Sequence, residues 1–298
     1  ALTAAIAQGP NLAANGDFES FAFHPTGPGQ LALATKWTNC NDQVAFPYGT
    51  PDLFTDAGSG GSQWPNTFAG TVVPQSGTAL AGFITSNFFV PDFREYSTYH
   101  LESPIIPGET YSVSFWLTNG SANWYGARGS NNIGVAFTMA EPVQVQHEPL
   151  LSITPQLELT TIIHHTFWQQ YTFTFSAAQP FEFITIGNFR NDASTSIGTF
   201  TSGTGVAYYF LDNVEVVPVT PLAAEVLDLH QVQDVPQMEL AWSLPDAAIG
   251  DRFLLERSLD QSDFVLIEDF GTVTHSNDEA HFVDGGAMPG LLYYYRLR

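Results

Sequence analysis

The chain has 298 residues, 44% of them hydrophobic, enough for two domains that each bury a core. Only 13% are charged; eight Lys plus Arg cannot wet the outer faces of helices, so Thr, Ser, Asn and Gln beside 24 Phe and 25 Gly point to an all-β class and exclude a helical one. Thirty acidic residues leave a net charge of −22, which repels nucleic acid and anionic lipid, keeps a protein soluble in salt and lets carboxylates hold divalent cations.

Residues 1–8 have the pattern of a signal-peptide end: a small apolar run, then Ala5-Ile6-Ala7, with Gln8 as the mature start. This predicts export; the alternative is an extended N-terminal segment that is kept and packs against something. No run is apolar for long enough to span a membrane as a helix. Residues 9–218 read as one domain. Cys40 is the lone cysteine, which leaves no intrachain disulfide and reads as a small buried hydrophobe. Long Gly/Asn/Ser-rich loops are predicted over 47–78, 118–132 and 190–205, and loops of that length are usually functional. Period-2 apolar patterns predict strands over 110–117, 170–175 and 181–186, the first announced by the turn Pro107-Gly108. Val216-Val217-Pro218-Val219-Thr220-Pro221 reads as an extended linker. Residues 222–298 then read as a small sandwich, with strands over 225–232, 238–243, 253–258, 264–270, 281–283 and 291–297.

Two sets of residues carry a resemblance. Asn11-Leu12, Asn15-Gly16-Asp17-Phe18-Glu19 and the closing Phe210-Leu211-Asp212-Asn213-Val214-Glu215-Val216 resemble the galactose-binding-like jelly rolls of carbohydrate-binding modules. With Gly49–Phe54, Pro74–Gly82, Arg94-Glu95-Tyr96, Asn131–Gly134 and Ile186–Phe189 in that order, the domain is similar to a jelly roll of secreted and outer-membrane-associated Bacteroidetes proteins. Leu240-Ala241-Trp242, Phe253–Ser258, Asp260, Phe264 and Tyr294–Leu297 are similar to the fibronectin-type-III-like module of type IX secretion cargo. The implied fold is a jelly-roll β-sandwich followed by an incomplete fibronectin-III/immunoglobulin-like β-sandwich, six strands being countable where that family has seven.

The resemblance implies that the first and last strands of the jelly roll pair and bring Glu19 to Asp212. Two adjacent carboxylates repel unless a cation or proton intervenes, so structural calcium is expected there. The competing reading has both side chains bonded to backbone with no metal. Of the aromatics, Trp116 and Trp168 lie in strand contexts and read as core. Trp64, Trp124 and Tyr125 sit in loops beside Asn and Ser, where rings face sugar CH groups and amides bind hydroxyls, or where they cover the core.

No catalytic residue is assigned. His164 and His165 adjoin on a predicted strand and point to opposite faces. No acid pair stands out for glycosidase chemistry, and no G-x-S-x-G, H-E-x-x-H or P-loop occurs. The expectation is a non-catalytic, secreted or cell-surface adhesive module that binds a surface glycan or a protein partner. The rival is a filament subunit in which residues 1–8 of a neighbouring copy complete the open C-terminal sandwich. A third reading is an accessory part of a carbohydrate-active enzyme.

Overall fold

A computed structural model describes residues 10–41, 49–121, 124–201, 203–219, 227–231, 238–243, 252–259, 263–272, 280–288 and 291–297. The expectations placed on residues 1–8, both the signal remnant and the donated strand, lie outside these. Two compact units are present, one holding Ala7–Val219 and the other Thr220–Arg298.

In the first unit the strands run β1 (Trp37–Thr38), β2 (Asp52–Thr55), β3 (Asn66–Thr67), β4 (Gly70–Thr71), β5 (Ala79–Asn87), β6 (Ser97–His100), β7 (Thr110–Thr118) and β8 (Arg128–Ser130). They continue as β9 (Ile133–Thr138), β10 (Leu157–Leu159), β11 (Gln169–Ser176), β12 (Phe183–Asn188), β13 (Ile197–Thr199) and β14 (Val206–Pro218). Two five-stranded antiparallel sheets face each other, one in the order β1-β6-β12-β9-β10 and the other β11-β7-β14-β5-β2. Among the described residues there is no α-helix, only 3₁₀ turns at Leu31–Leu33 and Asp192–Ser194. The class is all-β, as the composition predicts, and the architecture is the β-sandwich that the resemblance implies.

The alternation in β7 explains the main core. Tyr111, Val113, Phe115 and Leu117 point between the sheets, against Val135 and Phe137 of β9 and Ile184 and Ile186 of β12. Strand β14 is buried on both faces. Ala207, Tyr209 and Leu211 enter the main core, while Val206, Tyr208 and Phe210 enter a second one with Phe54, Leu80 and Ile84. That second core sits on the outer side of the β14-β5-β2 sheet, roofed by Ala69, Val72 and Phe93, and is the reason 47–78 is not a plain loop: it contains β2, β3 and β4. Likewise 118–132 contains β8, and 190–205 contains β13.

The two ends of the unit meet. Leu12 N–H donates to Val216 O at 2.8 Å, and Val214 N–H donates to Gly16 O at 2.9 Å. A Cβ on Gly16 would lie 1.8 Å from Val214 O, so only glycine allows this approach. The linker expected to start at Val216 begins later, because Val216, Val217 and Pro218 still pair with β7.

The second unit has β15 (Leu227–Gln231), β16 (Glu239–Ser243), β17 (Arg252–Ser258), β18 (Val265–Thr272), β19 (Ala280–Val283) and β20 (Tyr294–Leu297). They form two antiparallel three-stranded sheets, β15-β16-β19 and β18-β17-β20, closing on Leu240, Trp242, Phe253 and Leu255.

Candidate functional site

Glu19 and Asp212 converge on one short segment rather than presenting a shared cradle. Glu19 Oε1 accepts the N–H groups of Thr78 at 2.6 Å and Ala79 at 2.8 Å, and its Oε2 accepts the Thr78 hydroxyl at 2.8 Å. Asp212 Oδ2 accepts the N–H groups of Gln75 at 2.8 Å and Ser76 at 3.2 Å, and Oδ1 that of Asn213 at 2.8 Å. Between them Gly77 has φ +62°, and a Cβ there would meet Glu19 Oε1 at 2.2 Å. The bulge in β14 between Asp212 and Glu215, with Asn213 at φ 48°, turns Asp212 onto this segment. Burial pushes the Asp212 carboxyl up to about 7, against the pull of its three N–H donors, with the Asp17 charge adding to the rise. Among the described residues no group of three or more His, Cys, Asp and Glu is arranged to hold a metal.

The three loop aromatics occupy one layer above the second core, in different roles. Trp64 is half-buried on that core and donates its Nε1–H to Thr78 O at 2.8 Å, so it acts as a lid. Tyr125 packs edge-on against Phe68 at 5.2 Å and Tyr208 at 5.8 Å. Trp124 stands edge-on to Tyr125 at 5.0 Å and is 42% exposed. It runs nearly parallel to Phe89, with ring centroids 6.1 Å apart and planes 19° apart. Phe89 is 62% exposed, Phe88 meets it edge-on at 5.1 Å, and the Arg128 guanidinium lies 5.5 Å over Phe88. Arg128 Nε has no hydrogen-bond partner, and burial lowers this group's pKa. The result is a ribbon of planar groups, exposed at Trp124, Phe89 and Phe88 and ending at the half-buried Arg128, with Trp124 standing on Tyr125.

Sequence reasoning missed Phe88, Phe89 and Arg128. Phe88 and Phe89 follow β5, which ends at Asn87, and nothing in the run Phe88-Phe89-Val90 distinguishes them from the buried residues of a strand. Trp116 departs from the core reading, for it is half-buried on the face opposite Phe115 and Leu117. Trp168 is half-buried on the second core, its Nε1–H donated to Val73 O at 2.9 Å. The two histidines lie outside any strand, between β10 and β11, and take separate partners, His164 Nε2 lying 3.0 Å from Gly126 O and His165 Nε2 3.0 Å from the Tyr171 hydroxyl.

One acid pair does stand out. Asp52 and Glu95 are both buried, Asp52 taking the Tyr208 hydroxyl at 2.6 Å and the Gly29 N–H at 2.6 Å, Glu95 taking the Ile84 N–H at 2.8 Å. Burial pushes Asp52 up to about 7, while burial and then the Asp52 charge hold Glu95 well above the carboxylate range. Arg94, also buried, turns instead to Asp192 at 2.9 Å. Both carboxylates are almost fully buried, Asp52 at 3% and Glu95 at 4% exposure.

No protein-family model matches the chain, and no curated protein does. Solved structures similar to it include a carbohydrate-binding module of family 4, at 15% identity over 68% of this chain and 97% of that one, with a TM-score of 0.32. A family 22 xylan-binding domain from Paenibacillus barcinonensis matches at 10% identity over 73% and 99%, with a TM-score of 0.34. A cleaved adhesin domain of Lys-gingipain from Porphyromonas gingivalis matches at 13% identity over 61% and 90%, with a TM-score of 0.35. At these identities and scores no residue of this chain takes a role from them.

Proposed function

We propose that the chain is a non-catalytic, secreted carbohydrate-binding module that grips glycan on the Trp124–Phe89 ribbon. The observation that carries this reading is the pair of near-parallel, solvent-facing rings Trp124 and Phe89, of which Trp124 stands on Tyr125, itself packed on Phe68 and Tyr208. Rings held rigid in this way offer a flat apolar surface to sugar CH faces with little side-chain entropy left to lose on binding. Phe88 and Arg128 extend it with an apolar edge and hydrogen-bond donors for hydroxyls or carboxylates.

Calcium belongs to this proposal as a structural clip. Glu19 and Asp212 are the carboxylates that would hold it together with backbone carbonyls, and its charge would offset the cost of keeping Asp212 ionised while buried. Surface display through the type IX route, with the second unit as a fibronectin-like spacer, completes the reading.

A glycan array probed with the intact protein tests it. Binding to at least one polysaccharide class, weakened about tenfold or more by Trp124→Ala, supports the proposal, since about 1.4 kcal/mol of lost stacking gives that factor. Glycan binding that survives the substitution unchanged places the site elsewhere.

A further inference from the structure

The edges of the sheets are unequal. In the first unit β1 has two residues, β10 has three with Glu158 among them, and β2 is capped at Thr55, which bonds Ser62 O and the Trp64 N–H. In the second unit the edge strands β15, β19 and β20 have five residues or fewer, and β18 is broken by two register shifts and carries Glu268 and Asp269. Strand β11 differs from all of these. Its eight residues, Gln169-Gln170-Tyr171-Thr172-Phe173-Thr174-Phe175-Ser176, pair with β7 in unbroken register and include no charged residue and no proline. Among the described residues nothing pairs with its outer side. Natural edges are blunted by Lys, Pro, bulges or shortness, and a long flat edge without them is a pairing surface.

The flank beneath it is also incompletely closed. Tyr171, Phe173 and Phe175 are only half-buried, as are Leu157 and Leu159 of β10, and Phe137 of β9 stacks on Phe175 at 4.5 Å.

We propose that β11 is the seam of a two-fold dimer, in which the β11 strands of two copies pair antiparallel and join their five-stranded sheets into one. Two features select a second copy as the occupant. A chain with net charge −22 repels its own copies, and β11 is an uncharged stretch through which they can meet. The strand is also self-complementary. A register centred on Phe173 sets Phe173 opposite Phe173 and Tyr171 opposite Phe175 on the core side, with Thr172 opposite Thr174 and Gln170 opposite Ser176 on the outer side.

Sedimentation velocity of the full chain over roughly 1–200 μM tests this, at low salt and at about 0.5 M salt where the Debye length falls to roughly 4 Å. The expected result is a monomer–dimer equilibrium that shifts to dimer with salt, and a Thr172→Lys/Thr174→Lys variant that stays monomeric. That variant lowers the net negative charge, so association by bulk electrostatics alone would increase. Both threonines are exposed, and an unchanged melting temperature shows that the fold is kept. As a second measurement, mixing T172C with T174C chains under mild oxidation gives a disulfide-linked heterodimer if the register holds. A wild type that is monomeric at every concentration and salt overturns the proposal, as does a double-Lys variant that dimerises as well as wild type.

Discussion

Tyr208 donates its hydroxyl to Asp52 Oδ2 at 2.6 Å, and its ring is part of the floor on which Tyr125, 5.8 Å away, carries the exposed Trp124. A buried polar bond thus lies two residues below the proposed binding surface. Tyr208→Phe removes the donor to Asp52 Oδ2 and leaves that buried oxygen unpaired while Oδ1 keeps the Gly29 N–H, so it should destabilise the first unit by about 1–3 kcal/mol. Urea unfolding followed by tryptophan fluorescence measures this.

The same carboxylate sets a pH dependence. Asp52 and Asp212 are each raised from 3.8 to about 7 in the folded state, chiefly by burial. Between those values the folded state holds more protons than the unfolded one, so stability is fully present below pH 3.8 as far as these groups go. It falls as pH rises through about 7. Melting temperatures should therefore decline across that window in chelator-containing buffer, and Asp52→Asn should flatten part of the decline. An Asp52→Asn variant whose decline over the window equals that of wild type contradicts the burial of this acid.

Gly77 has a demanding position, with φ +62° and a Cβ site 2.2 Å from the Glu19 carboxylate. Gly77→Ala must strain the backbone and push Glu19 off the N–H groups of Thr78 and Ala79. A loss of about 2 kcal/mol or more is expected from left-handed strain together with the lost charge-assisted bonds. Differential scanning calorimetry reads it directly.

Calcium is tested at the same place. If a cation joins the Glu19–Asp212 clip, adding chelator lowers the melting temperature and adding calcium restores it, because a ligand bound only to the native state must stabilise that state. Equal melting curves in both conditions would leave the N–H donors of 75–79 as the whole of the clip.

The sequence made some of this legible and hid the rest for identifiable reasons. Alternation in 110–117 reported a strand with one dry face, and the resemblance to jelly-roll domains implied that the two ends meet, as Leu12 and Gly16 do with Val216 and Val214. Strand β14 has both faces dry, so its period-2 signal vanishes into a continuous apolar run. Asp52 falls within 47–78, which reads as a loop; only the fold reveals that it is buried against Tyr208. Trp64 and Trp124 have similar loop neighbours in sequence, yet one roofs the second core and the other faces solvent.

That difference separates stability from recognition. Trp64→Ala should lower the melting temperature through lost packing and the lost bond to Thr78 O, with binding altered little in the protein that remains folded. Trp124→Ala should do the reverse, leaving the melting temperature nearly unchanged.

The most direct measurement is titration calorimetry of the polysaccharide fragment that the array selects, run in parallel on wild type, Phe89→Ala and Trp124→Ala. A saturable heat in wild type, reduced about tenfold or more in affinity in both variants at equal melting temperature, is the predicted result. Equal affinities in all three proteins would contradict the aromatic ribbon as the site of recognition.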